Sequence, residues 1–275
     1  MAKRGSIKVF EQNKVQVLMM AAGFGSRVGE ITQYVPKALI PVNGKPMIER
    51  HIEYMIEAGV SRLIMTVGYK KERFEYLVSK YKDQLEIIQV ENPYYREYNT
   101  FSTIYVASDY FDRDTFFVTS DLFLTENIYL KYGWKNTDSV QYGFYLHKNE
   151  AQLPRPEWVA NLGEDEKGMY ITSVNTAGMA GSVWSGISFW TKSDLVFINK
   201  LLHDVDWNDP ASKKLYWDEL FFPYYQEWHV HVRHMENNYD IFEVDCEEDL
   251  VNLKKYVNDP VSTEELKQML RKKYN

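Results

Sequence analysis

The first half of the chain alternates short apolar segments with longer amphipathic ones. Residues 15–20 are apolar except for Gln16, and a short segment of this kind is typical of a strand buried on both faces. Residues 46–58 have Pro46 in the first turn and Gly59 just past the end, as a helix does. The further predicted strands are 62–67, 85–90 and 115–119, and the further predicted helices are 71–80 and 102–108. This order predicts an α/β fold with a doubly wound, mostly parallel sheet and helices on both faces.

The pattern changes at about residue 139, where strand-like segments follow one another without long helices between them. The predicted strands are 140–146, 158–162, 169–174 and 183–190, followed by helices at 191–203 and 215–222, a strand at 230–235, an apolar element at 241–244 and helices at 247–256 and 263–273. We expect a polar tail at 1–14 and one domain over 15–275. Within it we expect a nucleotide-binding half (15–138), a β-rich substrate-binding and metal-completing half (139–256) and a C-terminal helix (257–275).

Composition and charge exclude several classes of protein. The formal net charge is −7 and no long basic block is present, which argues against a nucleic-acid partner. The single cysteine, Cys246, excludes an internal disulfide and fits a reducing compartment. The first residues lack the apolar core of a signal peptide, and no run approaches the roughly 20 apolar residues that a membrane span needs. We therefore expect a cytoplasmic protein with no membrane insertion.

A glycine-containing loop, Ala21 to Arg27, follows the first predicted strand directly. Ligands of open α/β sheets bind beyond the carboxyl ends of the strands. Gly23 and Gly25 would let backbone N–H groups approach a phosphate, and Arg27 adds a fixed positive charge. Glycine at such a turn also has a purely steric explanation, and the loop lacks the spacing of a Walker loop or a complete GxGxxG fingerprint.

The residues after this loop turn a common glycine-containing turn into a specific sequence motif. Gly-Phe-Gly-Ser-Arg at 23–27, followed about ten residues later by Pro-Lys-Ala-Leu at 36–39, resembles the signature of the NTP-transferase superfamily. The resemblance implies that Lys37 binds phosphate and stabilises the transition state, and that Arg27 contacts the triphosphate. One departure is Val28-Gly29-Glu30, which replaces the usual Leu-Arg-Pro type of continuation and removes a positive charge.

The resemblance also implies a magnesium site at Asp121, which ends the strand segment 115–119. A hard cation of this kind takes oxygen ligands, so we expect further carboxylates nearby. Glu243 and Asp245 would point to the same face if residues 241–245 form one strand. The competing explanations are a turn or cap role for Asp121 and an edge strand with outward polar residues.

Later motifs narrow the resemblance to the bacterial CTP:phosphocholine cytidylyltransferases, over about residues 15–256. They include Tyr-Asn-Thr-Phe-Ser at 98–102, Glu-Trp at 157–158 and Leu-Tyr-Trp-Asp at 215–218. The nucleotide-binding residues implied are Ala21, Ala22, Gly23, Gly25, Ser26, Arg27, Lys37, Gly68, Tyr98, Asn99, Thr100 and Ser102. The substrate-binding residues implied are Glu157, Trp158, Phe189, Tyr216, Trp217 and Asp218.

The predicted reaction is CTP plus phosphocholine giving CDP-choline and pyrophosphate, with Mg²⁺ as cofactor. Aromatic faces and a carboxylate suit a quaternary ammonium, which donates no hydrogen bond. The alternatives are 2-aminoethylphosphonate or a sugar 1-phosphate as acceptor, and, in another class, a non-catalytic nucleotide-binding regulator. His229, His231 and His234 alternate along a predicted strand, and for them we expect a structural role rather than a zinc site.

Overall fold

The computed structural model describes residues 15–132, 144–149 and 153–274. The start of the strand predicted at 140–146 lies outside the described residues, and so does Trp134, for which the sequence suggests core packing.

The central sheet follows the predicted plan. Its strand order is β10-β9-β11-β6-β1-β4-β5, with β8 paired to β11 and β12 to β8. β1 runs parallel to β4 and β6, and β4 runs parallel to β5, whereas β11 runs antiparallel to β6, β8 and β9. The sheet strands are β1 (Val15–Ala21), β4 (Arg62–Val67), β5 (Glu86–Glu91), β6 (Asp114–Thr119), β8 (Phe144–Asn149), β9 (Glu157–Asp165), β10 (Gly168–Gly178), β11 (Gly181–Trp190) and β12 (Val232–His234). Two small antiparallel pairs are β2 (Pro41–Val42) with β3 (Lys45–Pro46), and β7 (Leu122–Leu124) with β13 (Ile241–Glu243).

Helices cover both faces of this sheet, as the sequence predicts. They are α1 (Met47–Ala58), α2 (Glu75–Tyr81), α3 (Thr100–Tyr105), α4 (Ile128–Lys131), α5 (Lys192–His203), α6 (Tyr225–Trp228), α7 (Glu247–Tyr256) and α8 (Thr263–Tyr274). Val17 and Met19 of β1 pack in one core with α1, α2, α7 and α8, whereas Leu18 and Met20 pack in a second core with α3 and α5. Side chains of a strand alternate between its two faces, so β1 is buried on both sides.

Three local predictions differ from the structure. Residues 217–224 form a 3-10 helix rather than the predicted α-helix at 215–222, and Pro223 lies inside it, where an α-helix would lose a hydrogen bond. The strand predicted at 230–235 is shorter, and the element at 241–244 ends as a strand at Glu243. Within the described residues, every helix is too short or too polar to cross a membrane.

Candidate active site

The glycine loop leaves β1 at the edge where β4 and β6 also end. Gly25 has φ 63°, and a Cβ added there would lie 3.0 Å from the Cβ of Lys37. A larger residue at position 25 would therefore strain the backbone and push Lys37 away. The two parts of the sequence motif are in direct contact, and they line a cavity of about 350 Å³ together with Asn99 and Thr100.

Lys37 and Arg27 are held by carboxylates at the floor of this cavity. The Nζ atom of Lys37 lies 2.8 Å from Asp121 Oδ2 and 3.1 Å from Asp245 Oδ1. Burial alone would lower the pKa of Lys37, but the charges of Asp121 and Asp245 raise it above the usual value. Arg27 donates from Nη2 to Asp245 Oδ1 at 3.0 Å, yet its side chain is 70% exposed. Lys37 therefore remains charged, and Arg27 is accessible to a ligand in the cavity.

Asp121, Glu243 and Asp245 converge as the predicted metal ligands should. Their carboxylates offer oxygen atoms that all lie within 4.8 Å of one another. Asp121 follows β6, and the Val244 N–H donates to its carbonyl oxygen at 2.9 Å, which holds the end of β13 beside it. The sequence predicts one strand over 241–245, but the strand ends at Glu243 and Asp245 lies in the turn into α7.

The charge balance of this cluster suits a cation. Burial and the neighbouring charges of Asp121 and Asp245 raise the pKa of Glu243 well above the usual carboxyl value. Burial opposes the ionisation of Asp121, but Lys37 lowers its pKa below the usual value. The Oδ1 atom of Asp121 is buried and accepts no hydrogen bond within the described part of the chain. A hard divalent ion such as Mg²⁺ fits these oxygen donors.

The predicted nucleotide-binding residues mostly line this cavity. Those on its walls are Ala21, Ala22, Gly23, Gly25, Ser26, Arg27, Lys37, Tyr98, Asn99 and Thr100. The sequence reading missed Phe24 and Tyr95, whose ring centroids lie 5.1 Å apart and which also line the cavity. Phe24 lies between the two glycines of the motif, and this position could have identified it as a residue of the cavity wall.

Two predicted nucleotide-binding residues lie behind these walls. A Cβ on Gly68 would lie 2.7 Å from the Tyr95 ring and 2.8 Å from the Ala22 carbonyl oxygen, so glycine is needed there for close packing. Ser102 is fully buried, and its hydroxyl donates to the Asn99 carbonyl oxygen at 2.8 Å. Both residues support the cavity wall instead of facing its interior.

A second cavity, of about 440 Å³, also borders the carboxylate cluster. It shares Arg27, Asp121 and Asp245 with the first, so the two cavities meet at the cluster. Trp158 forms one wall, with Tyr216 at 5.3 Å and Trp184 at 6.1 Å between ring centroids. Trp184 was missed, because a tryptophan in a strand is more often a core residue than a ligand contact.

Carboxyl groups accompany these rings, and two predicted residues lie deeper. Glu157 and Asp218 line the second cavity, and burial raises the pKa of Asp218 to about 7. Trp217 also lines it but is largely buried, with its ring centroid 5.1 Å from that of Phe117. Phe189 lies in the core against Phe116 instead, with ring centroids 4.7 Å apart. The structure therefore does not bring Phe189 to the cavity.

The histidines of the predicted strand have an acidic neighbour that the sequence pattern did not reveal. His229 Nδ1 and His231 Nε2 each lie 3.0 Å from an oxygen of Asp165, at the far end of β9. His234 Nε2 lies 2.8 Å from the Ser182 hydroxyl. These contacts connect the loop before β12 to the long strands.

The architecture and this site define a nucleotidyltransferase. Residues 17–161 match the family model described as the MobA-like NTP transferase domain, and the chain belongs to this family.

Relatives narrow the comparison. The chain is 31% identical over 239 residues to choline-phosphate cytidylyltransferase of Streptococcus pneumoniae (strain ATCC BAA-255 / R6), covering 86% of this chain and 95% of the relative. It is 31% identical over 216 residues to 2-aminoethylphosphonate cytidylyltransferase of Lancefieldella rimae, covering 78% of this chain and 82% of that protein. The solved structure of CTP:phosphocholine cytidylyltransferase (LicC) from Streptococcus pneumoniae superimposes with a TM-score of 0.74 at 28% identity, covering 89% of this chain and 99% of that one.

Proposed function

We propose that the protein is a cytidylyltransferase that converts CTP and phosphocholine into CDP-choline and pyrophosphate. The observation that carries this proposal is that an aromatic cavity and the glycine-loop cavity meet at the carboxylate cluster, where both are lined by Asp121 and Asp245. The two substrates would then meet at Lys37, Arg27 and Asp121. The similarity to choline-phosphate cytidylyltransferases over most of both chains supports the same reaction.

The reaction needs alignment and charge neutralisation more than proton transfer. A phosphate oxygen of phosphocholine forms a bond to the α-phosphorus of CTP while the bond to the pyrophosphate oxygen breaks. Lys37 and Arg27 hold the phosphates and offset negative charge in the transition state, and the glycine loop offers backbone N–H groups. Mg²⁺ held by Asp121, Glu243 and Asp245 would supply further charge neutralisation. The attacking oxygen comes from the substrate, so we expect no covalent enzyme intermediate.

The second cavity suits the trimethylammonium group. A quaternary ammonium is bound by aromatic faces, each contributing about 0.5–2 kcal/mol, and by a nearby carboxylate. Trp158, Tyr216 and Trp184 provide faces on one side of the cavity, and Asp218 provides the carboxyl group. Phosphate attached to this group would extend toward the carboxylate cluster.

A second candidate acceptor is 2-aminoethylphosphonate. The observation that favours it is the pair of carboxyl groups, Glu157 and Asp218, in the same cavity. A primary ammonium donates hydrogen bonds and would use both of them. The relative from Lancefieldella rimae gives this alternative further support.

The experiment is a screen of pyrophosphate release with the four NTPs against phosphocholine, 2-aminoethylphosphonate and a sugar 1-phosphate. We expect release with CTP and phosphocholine and a large loss with the other NTPs. Pyrophosphate release with another acceptor but not with phosphocholine would contradict the proposal. If no combination of NTP and acceptor releases pyrophosphate, the result would favour a non-catalytic nucleotide-binding regulator. We also propose the cytoplasm as its location, because CTP is available there.

A further inference from the structure

Arg155 connects residues of the second cavity, of α7 and of the carboxylate cluster. Its guanidinium group donates from Nε to Glu157 Oε1 at 2.8 Å, and from Nη1 and Nη2 to the two oxygens of Asp249 at 3.3 and 3.1 Å. Its Nη2 atom also lies 3.9 Å from Asp245 Oδ2. One planar side chain therefore contacts the acceptor wall, the first turn of α7 and a residue of the carboxylate cluster.

Asp249 holds the segment that carries Asp245. Its Oδ2 atom accepts hydrogen bonds from the backbone N–H groups of Asp245 and Cys246, both at 2.9 Å. These are the N–H groups at the start of α7, which have no partner within the helix. Asp245 lies outside β13, so no strand pairing fixes it, and the Asp249 carboxylate fixes its backbone instead.

Glu157 links the guanidinium group of Arg155 to the second cavity. It begins β9, lines the second cavity and precedes Trp158, the central ring of the aromatic wall. The Arg155 side chain is 38% exposed. A fork with several fixed N–H donors can hold Glu157 and Asp249 at the same time, whereas a lysine ammonium is a single point of charge.

We propose that Arg155 is a positioning residue that sets the distance between the acceptor wall and the metal-binding carboxylates. This inference rests on the proposed function for the identity of the acceptor, but not for the carboxylate cluster. The positioning role of Arg155 and its positive charge predict opposite changes in metal affinity when the residue is replaced. A positive charge beside Asp245 repels a divalent cation, so removing the charge alone would tighten metal binding. Losing the hydrogen bonds of the guanidinium group would leave Asp245 less well positioned and would weaken metal binding.

The test uses Arg155→Lys, which keeps the charge, and Arg155→Gln, which removes it. Binding of Mn²⁺ to each purified protein is measured from the free-ion signal in electron paramagnetic resonance, without nucleotide or acceptor. We expect both variants to raise the Kd for Mn²⁺ by about 10-fold, the usual effect of losing a partner that orients a metal ligand. Both should also raise KM for phosphocholine, while KM for CTP at saturating Mg²⁺ stays close to the wild-type value.

A third variant and a control keep the result interpretable. Asp249→Asn retains a helix-capping side chain but loses the ion pair, and it should reproduce the Mn²⁺ effect without adding to that of Arg155→Lys. Arg113→Gln is the matched control, because Arg113 pairs with Asp112 just before the start of β6, whereas Asp121 follows the end of that strand. Arg113→Gln should change neither the Kd for Mn²⁺ nor the KM for phosphocholine.

Two results would overturn the inference. One is Arg155→Lys with wild-type Mn²⁺ affinity and wild-type KM for phosphocholine, and the other is tighter Mn²⁺ binding by Arg155→Gln. Failure of the proposed function is separate, since wild-type protein would then form no CDP-choline while Mn²⁺ binding could still be compared among the variants. If wild-type protein prefers another acceptor, the KM comparison is made with that acceptor.

Discussion

The glycine-loop cavity and the aromatic cavity are built by different means. The first lies where parallel strands β1, β4 and β6 end, and its key groups are charges in contact with one another. The second is lined by long antiparallel strands and a 3-10 helix, and its key groups are rings. Charges next to the reacting phosphates act on the transition state, whereas rings remote from them act on acceptor binding. Variants in the two cavities should therefore change different kinetic constants.

The largest effect is expected from removing the central carboxylate, with Asp121→Ala. This change deletes one carboxylate of the proposed metal site and also leaves Lys37 paired with Asp245 alone. We expect turnover to be nearly abolished while the far-ultraviolet circular dichroism spectrum stays that of the wild type. A folded Asp121→Ala protein with near wild-type kcat would refute the metal site.

Lys37→Ala should come next, because it removes a positive charge from the same cluster. We expect kcat to fall by several powers of ten, corresponding to about 3–5 kcal/mol of transition-state stabilisation. Steady-state kinetics with both substrates saturating provides the measurement. A change confined to KM for CTP would mean that Lys37 only helps the nucleotide to bind, which would break the contrast between the two cavities.

On the aromatic side, Trp158→Ala should weaken phosphocholine far more than CTP. The ring lies against Tyr216 and Trp184, so its removal opens one side of the cavity. Trp158→Phe should be milder, since a smaller aromatic face remains, and each lost cation–π contact is worth about 0.5–2 kcal/mol. Equal increases in KM for both substrates would indicate a general packing role for Trp158.

The smallest predicted effect concerns pH and Asp218. Burial raises the folded-state pKa of Asp218 from the ordinary value of 3.8 to about 7. The folded protein then binds this proton more tightly than the unfolded chain, so the free energy of unfolding should fall as pH rises from about 4 to about 7.

Asp218→Asn should remove that part of the pH dependence, which urea unfolding at several pH values would show. Identical pH profiles for the two proteins would contradict the raised pKa. Lys37 provides the contrast between the cavities, because its raised pKa keeps it charged throughout this range.

The sequence predicted best what depends on local pattern. β1 is visible as a short, mostly apolar segment and the loop after it by its two glycines. α1 is visible because Pro46 precedes it and Gly59 follows it. β7 was missed, since three apolar residues acquire meaning only when β13 pairs with them from the far end of the chain. The bounds proposed for the two halves of the domain stay a prediction.

Within the site, contacts between distant segments were the hardest to foresee. The carboxylate cluster was anticipated. The contacts around Asp245 were not, because its N–H donates to Asp249 and Asp249 in turn pairs with the distant Arg155. Ser102 and Phe189 were expected to face ligands and are buried instead, because a motif does not reveal which side of a helix or strand faces the core.

The central claim is that this nucleotidyltransferase transfers a cytidylyl group to phosphocholine. The identity of the acceptor is the part of this claim that most needs a test. The direct measurement is kcat/KM with CTP for phosphocholine, phosphoethanolamine and 2-aminoethylphosphonate. We predict the highest value for phosphocholine and a decrease as methyl groups are removed, because a primary ammonium is more strongly hydrated and leaves part of the aromatic wall without contact. If 2-aminoethylphosphonate has the highest kcat/KM of the three, the choline assignment is contradicted.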